Sequence, residues 1–237
     1  MLVCKNSLEL FQTNLMFLNA HTHNSSDKNP LKVLCLNARD PLVNDSYFCL
    51  GLHPYNLTPD FNSDLDLIRS NLSHPRLVGL GETGLDKTCQ TPWNLQISAY
   101  QAFLELAKTT DYPLILHSVR SHSLCVKLAL QTGIGQPILI HGFYGSKEEA
   151  LSLTSAGIYL GFGTSLFSNS KKTLTAFQKI PKEYILLETD DQEAKSIEDI
   201  YLRAASLLQM DLQALILQIH ANFFRFYGKL IPCRKTG

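Results

Sequence analysis

The sequence lacks the features of a membrane-spanning or secreted chain. Its mean hydropathy is -0.02, and it contains no apolar run of about 18 residues, the length that a transmembrane helix needs. Its N-terminal region has no basic segment followed by an apolar stretch and a small-residue cleavage site, so we expect no secretory signal. The six cysteines include no Cys-x-x-Cys pair and are typical of free thiols in a cytoplasmic protein.

An excess of charge of one sign is also lacking. The chain has 21 Lys and Arg residues against 21 Asp and Glu residues. This balance argues against a strongly basic nucleic-acid-binding surface, but not against a local basic rim around one pocket. No linker rich in Pro, Gly or Ser divides the 237 residues. We therefore expect one domain over 16–228, an N-terminal appendage at 1–15 and a tail at 229–237, with no signal for a membrane or a protein partner.

From residue 76 onward, short apolar runs alternate with segments of helical spacing. This alternation predicts parallel βα units, and the chain length favours an α/β fold of the (β/α) TIM-barrel type over a doubly wound open sheet. The predicted strands are 76–82, 112–117, 136–141, 158–163 and 183–190, and the predicted helices are 91–110, 121–132, 146–157, 169–179, 196–208 and 211–227.

The N-terminal third departs from this alternation. The strands "LMFLNAH" and "LKVLCLNA" (31–38) are separated by few residues, and "SYFCLGLH" (46–53) follows after a segment of hairpin length. A crossover between parallel strands usually takes a dozen residues or more. The sequence therefore predicts a second strand antiparallel to its neighbours, in a barrel that is distorted on this side and lacks its first helices.

Polar residues of one chemical kind follow the predicted strands. Because all strands of a parallel barrel end on the same face, residues far apart in sequence meet there. Imidazole and carboxylate groups without cysteine suit a divalent ion such as Zn, Mn or Mg. The residues at these strand ends are His21, His23, His53, Glu82, His117, His141 and Asp190.

Each of these residues also has an ordinary structural interpretation. Glu82 could pair with Lys87, His117 or His141 could be a buried histidine held by hydrogen bonds, and Asp190 could cap a helix. Taken together, however, the series is typical of a metal site, because most of the predicted strands end in His, Glu or Asp.

These motifs resemble the TatD-related family of metal-dependent hydrolases, which belongs to the amidohydrolase-like barrels. The resemblance extends from Asn19 to Gly228 in family order. Its most specific parts are "GETGLD" (81–86) and "LLETD" (186–190). The other matching segments are "NAHTH" (19–23), "GLHPYNL" (51–57), "PLILHSVRS" (113–121), "ILIHGFYGS" (138–146), "GFGTSLF" (161–167) and "HANFFRFYG" (220–228).

The resemblance implies a role for each residue of the series. One metal would be held by His21, His23, Glu82 and Asp190, and Glu82 would bridge to a second metal completed by His117 and His141. His53 would face the substrate. On chemical grounds the candidate catalytic residues are then Glu82 and Asp190, with Asp190 as general base because it would touch metal and water together. The chain departs from the family pattern at Asn19, often Asp in the family, at the displaced Arg120, and in its short segment between His23 and His53.

Divalent ions at such a site lower the pKa of water from 15.7 towards ~7, which suits hydrolysis of a phosphodiester or a carbonyl compound. Lys87, Arg120 and Lys147 lie just beyond the strand ends and either bind substrate phosphate or are solvated surface charges. We expect a deoxyribonuclease or exonuclease acting on nucleic-acid ends, with one or two divalent ions. The alternatives are a phosphoesterase of the PHP type, a hydrolase of small esters or amides, and a metal-binding protein without catalytic activity.

Overall fold

The structure, a computed structural model, describes residues 16–26, 31–192 and 194–228. In this part of the chain eight strands form one sheet in the order of the sequence, and every neighbouring pair is parallel. A parallel bridge between Thr22 and Asp190 joins the last strand region to the first, as in a TIM-type barrel. The strands are β1 (Asn19–Thr22), β2 (Lys32–Asn37), β3 (Tyr47–Leu52), β4 (Leu77–Asp86), β5 (Leu114–Val119), β6 (Ile138–Ile140), β7 (Tyr159–Phe162) and β8 (Ile185–Leu187).

The predicted barrel is confirmed, but the predicted direction of the second strand is wrong. Strand β2 runs parallel to both β1 and β3. The connections are nine residues each, 23–31 and 38–46. Nine extended residues span up to ~30 Å, whereas a strand of four to six residues requires a return of only ~13–20 Å. The short strands therefore permit a parallel crossover without a helix, and the described residues between β1 and β3 contain none, as predicted.

The described helices cover the outside of the barrel after β3. They agree with the predicted helices except for the first, which the sequence analysis does not predict. Phe61, Leu65 and Ile68 of this helix pack against the core at spacings of four and three residues, so its helical pattern is present in the sequence. The helices are α1 (Phe61–Ser70), α2 (Trp93–Lys108), α3 (His122–Thr132), α4 (Lys147–Ser155), α5 (Lys171–Lys179), α6 (Ile197–Leu208) and α7 (Leu212–Tyr227).

Strand β4 is longer than predicted and ends at Asp86 instead of Glu82. Its second half pairs with β5, with Gly84 opposite His117. Gly84 has a φ of +146°, and a Cβ atom there would lie 2.0 Å from the His117 carbonyl oxygen. Glycine at this position therefore allows the two strands to approach, and it places Glu82 within the strand instead of beyond it.

The barrel interior is apolar below the strand ends. Val33, Val78 and Leu186 are fully buried there. Helix α7 closes this end with aromatic residues, and the Tyr227 hydroxyl donates a hydrogen bond to the Ala20 carbonyl at 2.9 Å. The polar residues at the C-terminal strand ends thus lie above a dry layer, which strengthens electrostatic interactions between them.

The structure bears on two features expected from composition, the state of the cysteines and the apolar character of the helices. Cys35, Cys49, Cys89 and Cys125 are free thiols, as predicted. Cys4 and Cys233 lie outside the described residues, as do the predicted appendage at 1–15 and the tail at 229–237. No single described helix has the length and apolar character needed to cross a membrane, and only α6 and α7 together, with a bend of 108° between them, meet those criteria by length and composition.

Candidate metal centre

The structure brings the six predicted metal ligands together around the Glu82 carboxylate. Glu82 Oε2 lies 2.8 Å from His23 Nε2, and Glu82 Oε1 lies 3.5 Å from His21 Nε2 and 3.7 Å from His117 Nδ1. His141 Nε2 contacts Glu82 Oε1 directly. Asp190 Oδ1 lies 3.4 Å from His21 Nε2 and 3.7 Å from His23 Nε2. Side chains from strands distant in sequence therefore meet at one point, although their role as ligands stays a prediction.

Strand β1 presents both of its histidines to the centre because residues two apart on an extended chain point the same way. Cys35 of the neighbouring strand orients both rings. Its carbonyl accepts a hydrogen bond from His23 Nδ1 at 3.1 Å, and its Sγ lies 2.9 Å from His21 Nδ1. Burial raises the pKa of the Cys35 thiol well above its ordinary value, so the thiol is neutral. Each ring is thereby turned so that Nε2 faces Glu82.

Two buried ligand atoms at the centre, His21 Nε2 and Glu82 Oε1, form no regular hydrogen bond among the described residues. Glu82 Oε1 instead lies in close contact with His141 Nε2. Leaving such groups unpaired costs about 1–3 kcal/mol each, more for a charged group. A divalent cation between them would satisfy both atoms, and imidazole and carboxylate are suitable ligands for one. The residues present therefore fit the predicted metal.

Two overlapping groups of side chains offer ligand atoms that all lie within 4.8 Å of one another. One group contains His21, His23, Glu82 and Asp190, and the other contains His53, Glu82 and His117. Glu82 belongs to both, so the site could hold one or two ions, as predicted. His141, predicted as a ligand of the second metal, lies with its Nε2 3.1 Å from His117 Nδ1 and is therefore also within this region.

Hydrogen bonds distinguish His53 from the predicted ligands. His53 Nδ1 accepts a hydrogen bond from the Tyr55 backbone N–H at 3.2 Å, so a neutral ring carries its proton on Nε2, the atom that faces the centre. His117 is arranged in the opposite way, because its Nε2 donates to Asp86 and leaves the Nδ1 lone pair facing Glu82. His117 is thus oriented to bind a cation, and His53 is oriented to donate a hydrogen bond.

Charge and burial set the protonation of the centre in the absence of a cation. Burial opposes ionisation of Glu82, but His141 and His21 hold the pKa of this carboxyl well below its usual value. Burial likewise disfavours the charged form of His141, but Glu82 outweighs it and raises the pKa of His141 to about 10. Burial lowers the pKa of His53 to about 4. At neutral pH, Glu82 is therefore anionic, His141 protonated and His53 neutral.

Asp86 is a functional candidate that sequence reasoning missed. Its Oδ2 accepts the hydrogen bond from His117 Nε2 at 3.0 Å, and the residue is 1% exposed. A carboxylate on the far side of a ligating imidazole fixes the orientation and tautomer of the ring. The spacing in the sequence could have identified Asp86, because Glu82 and Asp86 are four residues apart and face the same side of a strand that includes both.

Glu188 is a second missed candidate. It is fully buried, its Oε1 accepts a hydrogen bond from the Gly142 N–H at 2.5 Å, and the same oxygen lies 4.0 Å from His141 Nδ1. Burial raises the pKa of Glu188 to about 8. Gly161 leaves room for this side chain, since a Cβ there would lie 2.2 Å from Glu188 Oε2. Its spacing of two residues from Asp190 could have identified it.

Asp190 is held by the end of β1. Its backbone N–H donates to the His21 carbonyl at 3.1 Å, and the preceding Thr189 N–H donates to Asn19 Oδ1 at 3.1 Å. Asn19, where the family often has Asp, therefore supports the segment that carries Asp190. The Asp190 side chain is 31% exposed, against 2% for Glu82. Asp190 is thus the carboxylate of the centre that is open to solvent.

The residues predicted to bind substrate are placed differently from one another. His53 lies at the centre, with Nε2 4.0 Å from Glu82 Oε2. Lys87 lies over the Trp93 ring, with Nζ 5.9 Å from its centroid. Lys147 Nζ lies 3.6 Å from Glu148 Oε1, as a surface ion pair would. Arg120 has a φ of +54° and no side-chain partner in the described part of the chain. The substrate roles of all four stay predictions.

Comparison with known proteins places this site in a family. A family model described as "TatD related DNase" matches residues 14–228. An uncharacterised metal-dependent hydrolase, YabD of Bacillus subtilis, is 30% identical over 149 residues, which are 61% of this chain and 58% of that protein. A Salmonella typhimurium protein named 3'-5' ssDNA/RNA exonuclease TatD is 28% identical over 146 residues, 59% of this chain and 55% of that protein. The matched stretch thus spans little more than half the length of these relatives.

The fold is shared with solved structures. The crystal structure of YjjV, a TatD homologue from Escherichia coli, superposes with a TM-score of 0.79 and 19% sequence identity, covering 92% of this chain and 99% of that one. At this identity the likeness concerns the fold, whereas the family model concerns the sequence over nearly the whole described chain. The chain belongs to the family of TatD related DNases.

Proposed function

We propose that the chain is a metal-dependent hydrolase that cleaves phosphodiester bonds at the ends of nucleic acid. The observation that carries the proposal is the position of Glu82, which belongs to two adjacent groups of potential ligands and whose buried Oε1 is surrounded by the imidazoles of His21, His117 and His141. Further support comes from the family and from the exonuclease name of one relative.

His21, His23, Glu82 and Asp190 would hold one cation, and His117 and His141 would complete a second site with Glu82. When bound, divalent cations make water more acidic and take up negative charge from the substrate. Asp190 accepts the proton of the attacking water, because its carboxylate is ionised, open to solvent and adjacent to the centre. As the new phosphorus–oxygen bond forms and the old one breaks, Asp190 passes this proton to the leaving oxygen.

His53 would orient the substrate. It is neutral at pH 7, and its Nε2–H group can donate a hydrogen bond to a phosphate oxygen. Lys87 supplies a positive charge beyond the end of β4. For Arg120 and Lys147, the support for a phosphate contact is limited to their positions after β5 and β6. We also propose a cytoplasmic location, which the free thiols support and which cell fractionation would test.

The test compares two adjacent carboxylates. Asp190→Asn removes the proton acceptor while keeping its shape, and Asp191→Asn is the matched control, because Asp191 is exposed and bonded to Gln192. With Mg or Mn and a single-stranded oligonucleotide, we expect Asp190→Asn to lower the rate of nucleotide release by about 10²–10⁴-fold. Asp191→Asn should behave like the wild type.

Absence of metal-dependent release by the wild type, or an equal loss in both variants, would refute the nuclease proposal. The same preparation should be assayed with phosphomonoester, ester and amide substrates. Hydrolysis of one of these alone would identify the alternative enzyme classes, and metal binding without any hydrolysis would identify a non-catalytic metal-binding protein.

A further inference from the structure

A pocket of about 410 Å³ adjoins the metal centre on the side of β4 and the start of α2. We propose that this pocket holds one base of a single-stranded nucleic acid, stacked on Trp93, with a flanking phosphate on Lys87. The inference rests on the proposed function and names the substrate contacts of the same site. The pocket is lined by Asp86, Lys87, Cys89, Thr91, Trp93 and Gln96.

The pocket and the metal centre share the Asp86 carboxylate. One oxygen, Oδ2, accepts the hydrogen bond from His117 at the centre. The other, Oδ1, accepts hydrogen bonds from the Thr88 N–H and hydroxyl, both at 2.6 Å, and from the Cys89 N–H at 3.2 Å. These donors compensate its negative charge, so Asp86 does not prevent a phosphate from approaching Lys87. A nucleotide in the pocket would thus lie next to the reacting bond.

The wall of the pocket is fixed by a buried amide. Gln96 is 1% exposed, its Oε1 accepts a hydrogen bond from the Asp86 N–H at 2.8 Å, and its Nε2 donates to the carbonyls of Asp86 at 3.1 Å and Thr91 at 2.8 Å. The Thr91 hydroxyl donates to the Pro54 carbonyl at 2.7 Å, which ties this loop to the one that carries His53. The pocket is therefore formed before substrate arrives, which reduces the entropic cost of binding.

Trp93 and Lys87 supply the groups that recognise a single strand. Trp93 is 37% exposed, and Lys87 Nζ lies 5.9 Å from its ring centroid. Aromatic rings bind unpaired bases by stacking without sequence preference, and nearby cations follow the phosphates. A duplex does not offer a free base face, so the pocket favours a single strand.

Other exposed aromatic side chains lie on the same face of the barrel as Trp93. Among the described residues, the exposed large aromatics all lie between the C-terminal end of a strand and the next helix or at the start of that helix, whereas the exposed leucines lie on helices. Phe167 repeats the arrangement of Trp93, with Lys195 Nζ 5.0 Å from its ring centroid. The aromatics are Tyr55, Trp93, Tyr144 and Phe167. Such a series suits a polymer with several bases better than a small ester.

The sequence provides its own probe, because Trp93 is the one tryptophan of the chain. The metal-loaded protein should be titrated with a phosphorothioate single-stranded oligonucleotide that resists hydrolysis. We expect saturable quenching of tryptophan fluorescence, and weaker quenching by a blunt duplex of the same sequence. Hydrolysis of oligonucleotides without quenching, or equal quenching by the duplex, would overturn the pocket assignment and leave the proposed function standing. Quenching without hydrolysis would support the pocket and refute the proposed function.

Variants test the energetic role of the ring. Trp93→Leu should raise KM for an oligonucleotide about tenfold with a smaller change in kcat, and Trp93→Phe should restore most of the affinity. Leu202→Ala, at an exposed leucine on α6, is the matched control. Lys87→Gln should weaken binding more at low than at high salt. A folded Trp93→Leu variant with wild-type KM, or a Trp93→Phe variant with a KM as high as that of Trp93→Leu, would overturn the stacking role. A salt-independent effect of Lys87→Gln would overturn the phosphate contact.

Discussion

Asp86→Asn should weaken metal binding without removing any metal ligand. The asparagine side chain has the same shape, and its oxygen can still accept the hydrogen bonds from Thr88 and Cys89. Its NH₂ group, however, would face the His117 Nε2–H, which is now bonded to Asp86 at 3.0 Å. An unpaired buried donor costs about 1–3 kcal/mol. His117 avoids this cost by rotating, which turns the Nδ1 lone pair away from Glu82, or by changing tautomer, which places a proton on Nδ1.

The expected loss of metal affinity is about 10–100-fold, or about 1.4–2.8 kcal/mol. Calorimetric titration of the metal-free protein with Mn or Zn measures it directly, before any substrate is present. Asp66→Asn is the control, since Asp66 forms an exposed ion pair with Arg69 on α1, and such pairs contribute about 0–1 kcal/mol. Wild-type metal affinity in a folded Asp86→Asn variant would show that the bond between Asp86 and His117 does not orient a metal ligand.

Two further predictions concern protons and backbone. Metal binding at pH 7 should release protons, because the pKa of His141 is raised to about 10 without a cation and a ligating imidazole must be neutral. The affinity for metal should therefore rise with pH up to the pKa of His141. Calorimetry in buffers of different ionisation enthalpy counts the protons released. No proton release would contradict it. In urea unfolding, Gly84→Ala should lower the free energy of unfolding more than Gly157→Ala. Both glycines have positive φ, but a Cβ at Gly84 would lie 2.0 Å from the His117 carbonyl oxygen, whereas a Cβ at Gly157 would have no neighbour within 4 Å. Equal losses of stability would refute the steric argument.

The barrel could be predicted from the sequence because its signal is local and repeated. Each apolar run and each helical spacing from residue 76 onward is legible on its own, and all strands then end on one face. The direction of β2 was predicted wrongly because the length of a connection was compared with that of ordinary crossovers. What decides the direction is the distance that the connection must span from the end of one strand back to the start of the next. That distance is small when β1 has four residues.

The candidate site could be predicted only in part, for a similar reason. His21, Glu82 and Asp190 could be predicted to meet because each lies on or shortly after a strand near the C-terminal face of the barrel. The direction of a long side chain does not follow from its position, and Lys147 beside Glu148 illustrates this. Asp86 was missed because the boundary of β4 was placed four residues early, which hid its alignment with Glu82.

The extra length of β4 has a consequence for the proposed reaction. Glu82 lies within the strand and contacts both groups of ligands, while Asp86 at its end contacts His117 on one side and the pocket loop on the other. A single strand therefore carries the shared carboxylate, the residue that orients an imidazole and the start of the proposed base pocket. A base that contacts the pocket loop would act on the orientation of His117 through Asp86, so binding of a base and binding of metal should be coupled. Metal affinity measured with and without the phosphorothioate oligonucleotide should thus change by a larger factor in the wild type than in Asp86→Asn, and an equal factor in both would refute this coupling.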